Sequence, residues 1–247
     1  QLLTNQQGES DLLYRDGQFF LYTTVSVEEP SAGEPKGWLG MDMGVVNIAT
    51  DSEGNIYSGA QVNGLRHRHR RLRARLQAKG TKSAKRLLRK RRKKEHRFAK
   101  HFNHVISKRI VATAKALDQG IALEDLKGIR ERVTARRGQR ATLHSWSFYQ
   151  LRSFIEYKAR LVGVRVCLVD PRNTSLTCPS CGCMDKANRP TQSRFLCVSC
   201  GYAGLADHIA AVNISRRAAV SQPYCSKPLQ SSPLEVQSQV SGQSSCL

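Results

Sequence analysis

Four cysteines in two closely spaced pairs constrain this chain more than any other feature of its sequence. Cys178 and Cys181 form the first pair and Cys197 and Cys200 form the second, which gives the pattern C-x2-C-x15-C-x2-C. Within a pair, one tight turn can direct both thiolates at a metal ion about 2.3 Å away, and two such turns complete a closed tetrahedron. This spacing is typical of a four-thiolate zinc site, and we favour it over four unrelated buried or disulfide-bonded cysteines.

A glycine follows the second cysteine of each pair, at Gly182 and Gly201. Glycine is favoured there because a turn of this kind often needs a positive φ. Four thiolates leave no open coordination position on zinc, so we predict a structural rather than a catalytic site. The site lies between a predicted strand at 164–170 and a predicted helix that opens with Ala206 and Asp207.

The charge of the chain indicates a polyanionic partner. Its 247 residues include 40 Lys and Arg against 19 Asp and Glu, which gives a formal net charge of +21. The apolar fraction of 40% is ordinary for a folded protein, so the excess charge favours nucleic acid first and an anionic membrane surface second. The sequence has no long apolar run and its start does not resemble a signal peptide, so we expect a cytoplasmic protein without a membrane partner.

The first thirty residues predict a β-hairpin. An apolar run at 12–14, an Asp-Gly turn at 16–17 and a β-branched and aromatic run at 18–25 are the ingredients of that motif. Two strands alone are marginally stable in water, so we interpret 1–30 as the last hairpin of a domain whose beginning is missing. The chain, which begins with Gln1, would then be N-terminally incomplete.

The segment 37–57 predicts three short antiparallel strands. Asp42 interrupts the apolar character of the first of them. An aspartate in this position either caps the following turn through its own backbone or serves as a metal ligand on a rigid strand. The segment alone supports both interpretations about equally.

Residues 63–118 predict two helices divided at Gly80, because apolar residues recur at helical spacing on either side of it. Eighteen Lys and Arg lie between Arg66 and Lys100, against Glu95 as the one acid. Like charges four residues apart oppose helix formation, and a phosphate backbone would relieve that repulsion and release counterions. We therefore favour a nucleic-acid-facing pair of helices over a solvated charged face. The candidate contacts are Arg66, Arg68, Arg70, Arg71, Arg73, Lys85, Arg86, Arg89, Lys90, Arg91, Arg92, Lys93 and Lys94.

Three acids stand at the ends of predicted elements: Asp42 on the first strand, Glu124 at the end of a strand that begins near 120, and Asp207 at the start of the last helix. The predicted order of strands and helices is that of an RNase H-like α/β domain, in which the ends of adjacent central strands lie close together. Carboxylate oxygens are the ligands that Mg²⁺ or Mn²⁺ prefers. Two such ions, about 3.5–4 Å apart, can activate a water and stabilise the leaving 3′ oxygen of a phosphodiester.

On these motifs the chain resembles the TnpB (OrfB) family of insertion-sequence proteins, relatives of the type V CRISPR nucleases. The matching stretches follow one another in order between residues 37 and 217. They are GMDMGVVN at 40–47, LEDLK at 123–127, VDPRNTS at 169–175, TCPSCG at 177–182, FLCVSCG at 195–201, and a stretch from Ala206 to Ile214.

The resemblance implies a mixed sheet with flanking helices, organised as a split RuvC-type nuclease domain. Its first part would span 37–176, including the basic helices at 63–118, and its last helix would span 204–217. The ribbon at 177–203 would bind zinc through the four cysteines. The hairpin at 1–30 would be the remnant of the β-barrel that precedes the nuclease domain in the family. The Ser- and Gln-rich segment 218–247 predicts a disordered tail.

The family consists of RNA-guided DNA endonucleases associated with transposable elements, long described as transposases. By position, Asp42, Glu124 and Asp207 would be the catalytic acids that hold two Mg²⁺ or Mn²⁺ ions. DNA is the expected substrate, and a guide RNA the expected partner if the N-terminal region is present. After the third acid the family pattern is Asp-x-Asn-Ala-Ala, whereas this chain has Ile209 in place of the asparagine.

Two alternatives remain open at this stage. One is a catalytically incomplete, zinc-ribbon fragment that binds DNA or RNA without cutting it, which would bind with a steep salt dependence. The other is a zinc-stabilised basic protein within a larger RNA–protein particle. The second accounts for the positive charge but gives no reason for the three acids.

Overall fold

The structure, a computed structural model, describes residues 5–15, 17–126 and 148–220, and for Lys93 the backbone only. The described residues belong to two compact units, one ending at Glu29 and one beginning at Pro30. Within these residues, no helix has both the length and the apolar character needed to cross a membrane. The predicted tail lies outside the described residues from 221 onward.

The first unit contains an antiparallel hairpin of strands β1 (Gln6–Arg15) and β2 (Gln18–Val25). Arg15 lies opposite Gln18, and Gly17 in the turn has φ of 83°, which L side chains rarely adopt. The predicted hairpin is therefore confirmed. Its origin in a β-barrel stays a prediction.

A five-stranded mixed sheet forms the centre of the second unit, in the order β5-β4-β3-β6-β7. Its strands are β3 (Trp38–Asp42), β4 (Asn47–Asp51), β5 (Ile56–Ser58), β6 (Gly120–Glu124) and β7 (Val166–Val169). The first three strands of the unit pair antiparallel with one another, whereas β6 pairs parallel with both β3 and β7. The three short antiparallel strands predicted from the sequence are confirmed, and β3 lies in the middle of the sheet.

The helices described in this unit are α1 (Ala60–Lys79), α2 (Lys82–Ala116), α3 (Phe148–Leu161) and α4 (Ala206–Val220). Gly80 ends α1 in the left-handed conformation with φ of 64°, as glycine commonly does after a helix. The Thr81 hydroxyl accepts a hydrogen bond from the Ala84 amide at the start of α2, which caps that helix. The predicted division of the basic segment at Gly80 is confirmed.

The two faces of the sheet bury different helices, because successive side chains of a strand point to opposite sides. Leu39 and Met41 pack in the main core with Ile110 of α2 and Ile155 of α3. On the other face, Trp38 and Ala122 pack with Ile214 and Ala218 of α4. Burial of Ala218 also explains why α4 continues to Val220, three residues beyond the predicted end at 217.

Helix α4 crosses the central strand at Gly40. A Cβ added there would lie 2.0 Å from the carbonyl oxygen of Ala211, so any side chain would force the helix away from the strand. This close approach brings the start of α4 next to the sheet edge where β3 ends. Gly40 thereby helps to place the first residues of α4.

Between β7 and α4 the chain forms a small ribbon. It contains a 3-10 turn at Lys186–Asn188 and a hairpin of β8 (Arg194–Leu196) and β9 (Ala203–Leu205). Phe195 is fully buried in its core with Cys178, Cys197 and Ile209.

Candidate active site and four-cysteine centre

Two of the predicted acids are the last residues of neighbouring parallel strands. Asp42 ends β3 and Glu124 ends β6, and Met41 lies opposite Leu123 in the register of these strands. Both carboxylates therefore leave the sheet at the same edge. Asp207, the second residue of α4, lies close enough to act electrostatically on Asp42. All three predicted acids thus meet at one end of the sheet.

The electrostatics of Asp42 show how crowded this edge is. Burial and, to a smaller extent, the negative charges of Glu124 and Asp207 together raise its pKa from 3.8 to about 7, while Arg189 opposes the shift. The pKa of Glu124 is also raised, chiefly by burial. Carboxylates that repel one another in this way favour protons or cations as partners.

Three neutral side chains hold the acids in place. The Thr174 hydroxyl donates to Glu124 Oε1 at 2.6 Å, and the Asn213 amide donates to the Thr174 carbonyl at 2.8 Å. On the other side, Asn47 Nδ2 donates to Asp207 Oδ2 at 3.0 Å. These three residues were not predicted as site residues from the sequence. Each lies in one of the stretches that carry the family resemblance, and that position could have indicated a role near the acids.

Arg189 is a cation at this edge that sequence reasoning missed. Its Nη2 lies 3.7 Å from Asp207 Oδ1 and donates to the carbonyl oxygen of Gln192. The residue belongs to the ribbon rather than to the sheet, so no strand periodicity could have indicated its place. It lines a cavity of about 330 Å³ together with Asp42, Glu124, Asp125, Leu126, Pro171, Thr174 and Ser175.

The structure also bears on the choice between Glu124 and its neighbour Asp125. Glu124 is 9% exposed and accepts the hydrogen bond from Thr174, whereas Asp125 pairs with Arg152 Nη1 at 3.1 Å. Both line the cavity beside Asp42. The assignment of Glu124 as the functional acid therefore stays a prediction.

Ile209, which replaces the asparagine of the family pattern, is a buried core residue. It is 1% exposed and packs in the core of the ribbon against Phe195 and Ala206. The hydrogen bond to the Asp207 carboxylate comes from Asn47 of β4. The departure from the family pattern thus leaves Asp207 with a side-chain amide as partner.

The four predicted ribbon cysteines come together. Their Sγ atoms all lie within 4.8 Å of one another, with Cys178 and Cys200 at 3.6 Å and Cys181 and Cys197 at 3.5 Å. A tetrahedron with metal–sulfur bonds of about 2.3 Å has edges of about 3.8 Å. These separations match that edge and are far longer than a disulfide bond of about 2.05 Å, so the donor set fits a zinc ion.

The two cysteine turns repeat the same backbone pattern. The Gly182 amide donates to the Cys178 carbonyl and the Gly201 amide to the Cys197 carbonyl, each at 3.0 Å. Both glycines have positive φ, 75° and 72°, as the sequence analysis predicted. Asn188, fully buried, connects the turns: its amide nitrogen donates to the Cys183 carbonyl and its oxygen accepts from the Val198 amide.

Among the described residues, the four cysteines are the only group of three or more potential ligand side chains whose donor atoms all lie so close together. The carboxylate oxygens of the three acids do not all lie within 4.8 Å of one another. Their arrangement is wider than the cage that a single ion, bound by all of them at once, would require.

The candidate nucleic-acid contacts lie on α1 and α2. Arg66 is partly buried, the side chain of Lys93 is outside the described residues, and the other eleven are exposed. Glu95 of α2 binds Arg73 Nη2 at 2.8 Å and the ring of His69 at 3.3 Å, which links the two helices. A dense, solvent-facing set of cations is therefore held on a fixed helical pair.

Comparisons with known proteins find similar sequences over most of this chain. A family model described as "Probable transposase" matches residues 21–127, and one described as "Cas12f1-like, TNB domain" matches 148–214. The TnpB-like protein MJ0751 of Methanocaldococcus jannaschii is 35% identical over 50% of this chain and 44% of its own length. A CRISPR-associated endodeoxyribonuclease Cas12f2 of a Micrarchaeota archaeon is 30% identical over 81% of this chain and 40% of its own.

Among solved structures, a CRISPR-Cas12f ternary complex superposes on 83% of this chain with a TM-score of 0.60, at 20% identity and over 44% of that chain. This likeness shows a shared fold. The chain spans less than half the length of each of these three proteins. The two family models and the TnpB-like and Cas12f relatives confirm the resemblance of this chain to the TnpB (OrfB) family.

Proposed function

We propose that this chain is the nuclease part of a transposon-associated, RNA-guided DNA endonuclease that cleaves phosphodiester bonds with two metal ions. The observation that carries the proposal is the meeting of Asp42, Glu124 and Asp207 at one sheet edge, where burial and then the charges of Glu124 and Asp207 raise the pKa of Asp42 to about 7. The similarity to a protein named as an endodeoxyribonuclease supports the same activity.

The proposal includes an RNase H-like, RuvC-type nuclease domain. The strand order β5-β4-β3-β6-β7, with three antiparallel strands followed by two parallel ones, supports it. The basic helices would be an insertion after the third strand, and the ribbon a second insertion before the last helix.

In this proposal the acids hold two Mg²⁺ or Mn²⁺ ions. Bound ions of this kind supply activation of a water and stabilisation of the leaving 3′ oxygen. Two ions could be shared among carboxylates that are too widely spaced to surround a single ion. Thr174 and Asn47 keep their carboxylate partners oriented, which is the role of second-layer hydrogen bonds in metal sites. Arg189 offers a cation to the phosphate in the same cavity.

The ribbon in this proposal binds one structural zinc ion through its four cysteines. Loss of that zinc should also displace Arg189, because Arg189 follows the Lys186–Asn188 turn that Asn188 fastens to both cysteine turns. The exposed cations of α1 and α2 would hold the phosphate backbones of DNA and guide RNA, without reading sequence.

The decisive experiment is cleavage of labelled single- and double-stranded DNA in Mg²⁺, with and without co-purified RNA. Asp207→Ala should abolish cutting because it removes one of the three carboxylates. His208→Ala is the matched control, since it changes the adjacent residue, whose ring faces the Asp51 carbonyl instead. Undiminished cutting by Asp207→Ala would contradict the proposed acid site.

A second candidate is a binding fragment that does not cut. The exposed cations of α1 and α2 favour it, because they can hold a phosphate backbone without any catalytic metal. It predicts tight, salt-sensitive DNA or RNA binding that survives Asp42→Ala. No cutting under any of the conditions above, with binding retained, would select this candidate.

A further inference from the structure

A second cavity adjoins the acids, because Glu124 is one of its lining residues. Its volume is about 290 Å³, and its lining residues are Met43, Glu124, Leu126, Phe148, Tyr149 and Arg152. Apart from the carboxylate and the guanidinium, its walls are apolar and aromatic. Glu124 and Leu126 belong to both cavities, so the two spaces lie side by side along the edge of the sheet.

The chain itself explains why the apolar cavity is so close to the acids. Met43 directly follows Asp42, and Leu126 is two residues beyond Glu124. The same two strand ends therefore supply the carboxylates of one cavity and the apolar walls of the other. A ligand that is flat and apolar at one end would match the apolar cavity, and its other end could be a phosphate once cations are bound to the carboxylates.

Tyr149 provides the exposed aromatic surface of this cavity. It lies in the first turn of α3 and is 79% exposed, so its ring is open to a ligand. Arg152, one turn further along the helix, is fixed by ion pairs with Asp125 at 3.1 Å and Glu156 at 2.7 Å. A tyrosine ring and an immobilised guanidinium plane are both surfaces on which nucleobases stack.

We propose that this cavity binds one unpaired nucleobase of the DNA strand, next to the phosphate that lies at the acids. The inference rests on the proposed function, because that function places a phosphate beside Glu124. Base–aromatic stacking tolerates any base, since every base has a π face. The cavity would therefore favour single-stranded over duplex DNA without adding sequence preference.

Binding can be tested without cleavage. A single-stranded 20-mer of mixed sequence, carrying 2-aminopurine at successive positions, is titrated with the zinc-loaded chain in Ca²⁺ instead of Mg²⁺, because carboxylates also bind Ca²⁺. At one position the fluorescence should be quenched by stacking. Tyr149→Ala should remove that quenching and weaken binding about tenfold, whereas Tyr149→Phe, which keeps the ring, should retain both.

Two controls separate stacking from a general loss of affinity. Tyr202→Ala removes another exposed tyrosine, in the second cysteine turn, and should leave the quenching unchanged. An abasic nucleotide at the quenched position should weaken binding to the native chain but not to Tyr149→Ala. Equal affinity and quenching in Tyr149→Ala, or an abasic effect that persists in that variant, would overturn the proposal.

The outcome is distinguishable from that of the proposed function. Quenching that depends on Tyr149, without any cutting in Mg²⁺, would retain the base site and contradict the nuclease. Cutting that is unaffected by Tyr149→Ala would retain the nuclease and contradict the base site.

Discussion

The four-cysteine centre and the three-acid centre are built in opposite ways. The cysteines lie within 23 residues of sequence, on two turns of the same design, and their donor atoms are already as close as a bound ion requires. The acids are spread from residue 42 to residue 207 and come from two strands and a helix. They repel one another and remain more widely spaced.

The two centres depend on different levels of structure. Local backbone hydrogen bonds and positive-φ glycines preform the cysteine cage, so only the ion is needed to close it. The acid edge depends on the whole second unit: the β3–β6 register, the crossing of α4 at Gly40, and Arg189 from the ribbon. One centre is a local structure and the other is a product of tertiary assembly.

The largest expected effect comes from removing a cysteine ligand. Cys178→Ser should lose the zinc ion and unfold the ribbon, because structural zinc contributes about 10 kcal/mol or more to the folding of such small units. Metal content by mass spectrometry and hydrogen exchange over 177–203 would measure it. Cys183→Ser is the matched control, since Cys183 is outside the four-thiolate group, and it should retain one zinc per chain.

The next effect concerns the acids themselves. Glu124→Gln keeps size and the hydrogen bond to Thr174 but removes the charge, and cutting should fall on the order of a thousandfold or more, as expected for loss of several kcal/mol of transition-state stabilisation. Asp125→Asn, the neighbouring change, should cost less than about tenfold. The reverse ranking in single-turnover cleavage would move the catalytic role to Asp125.

The third prediction concerns the pH dependence of stability, to which the acid centre should contribute through Asp42. The pKa of Asp42 is raised from 3.8 to about 7 in the folded chain, so between these values the folded state binds more protons than the unfolded state. Without Mg²⁺, the free energy of unfolding should therefore fall as pH rises from 4 to 7, by on the order of a few kcal/mol.

Urea unfolding of the zinc-loaded chain at several pH values would measure this fall. Asp42→Asn should flatten the profile, and saturating Mg²⁺ should do the same because a cation offsets the repulsion. A profile that is equally steep in Asp42→Asn would show that other groups cause it.

The smallest effect is expected from the residue that orients Glu124. Thr174→Val removes the donor to Glu124 Oε1, and the Mg²⁺ concentration for half-maximal cutting should rise about 10- to 100-fold. Thr177→Val is the same change three residues later, where the hydroxyl donates to the Asn173 carbonyl. Equal metal requirements in the two variants would assign Thr174 a purely structural role.

Sequence patterns predicted the elements of this protein well and its side-chain partners poorly. The hairpin, the division at Gly80 and the positive φ of both ribbon glycines follow from local chemistry, and all are confirmed. Asn47, Thr174 and Arg189 were missed as site residues because nothing in their local sequence indicates which carboxylate they contact. Residues 47 and 207 form a hydrogen bond across 160 positions, a relation that no periodicity encodes.

The sequence by itself determined the cysteine cage and the order of the elements, since spacing, turn glycines and hydrophobic periodicity act over a few residues. Only the tertiary structure decided that the acids share an edge with Arg189 and adjoin an aromatic cavity. These relations depend on strand register and on the crossing of α4 over Gly40, which arise when distant segments bury their apolar surfaces together.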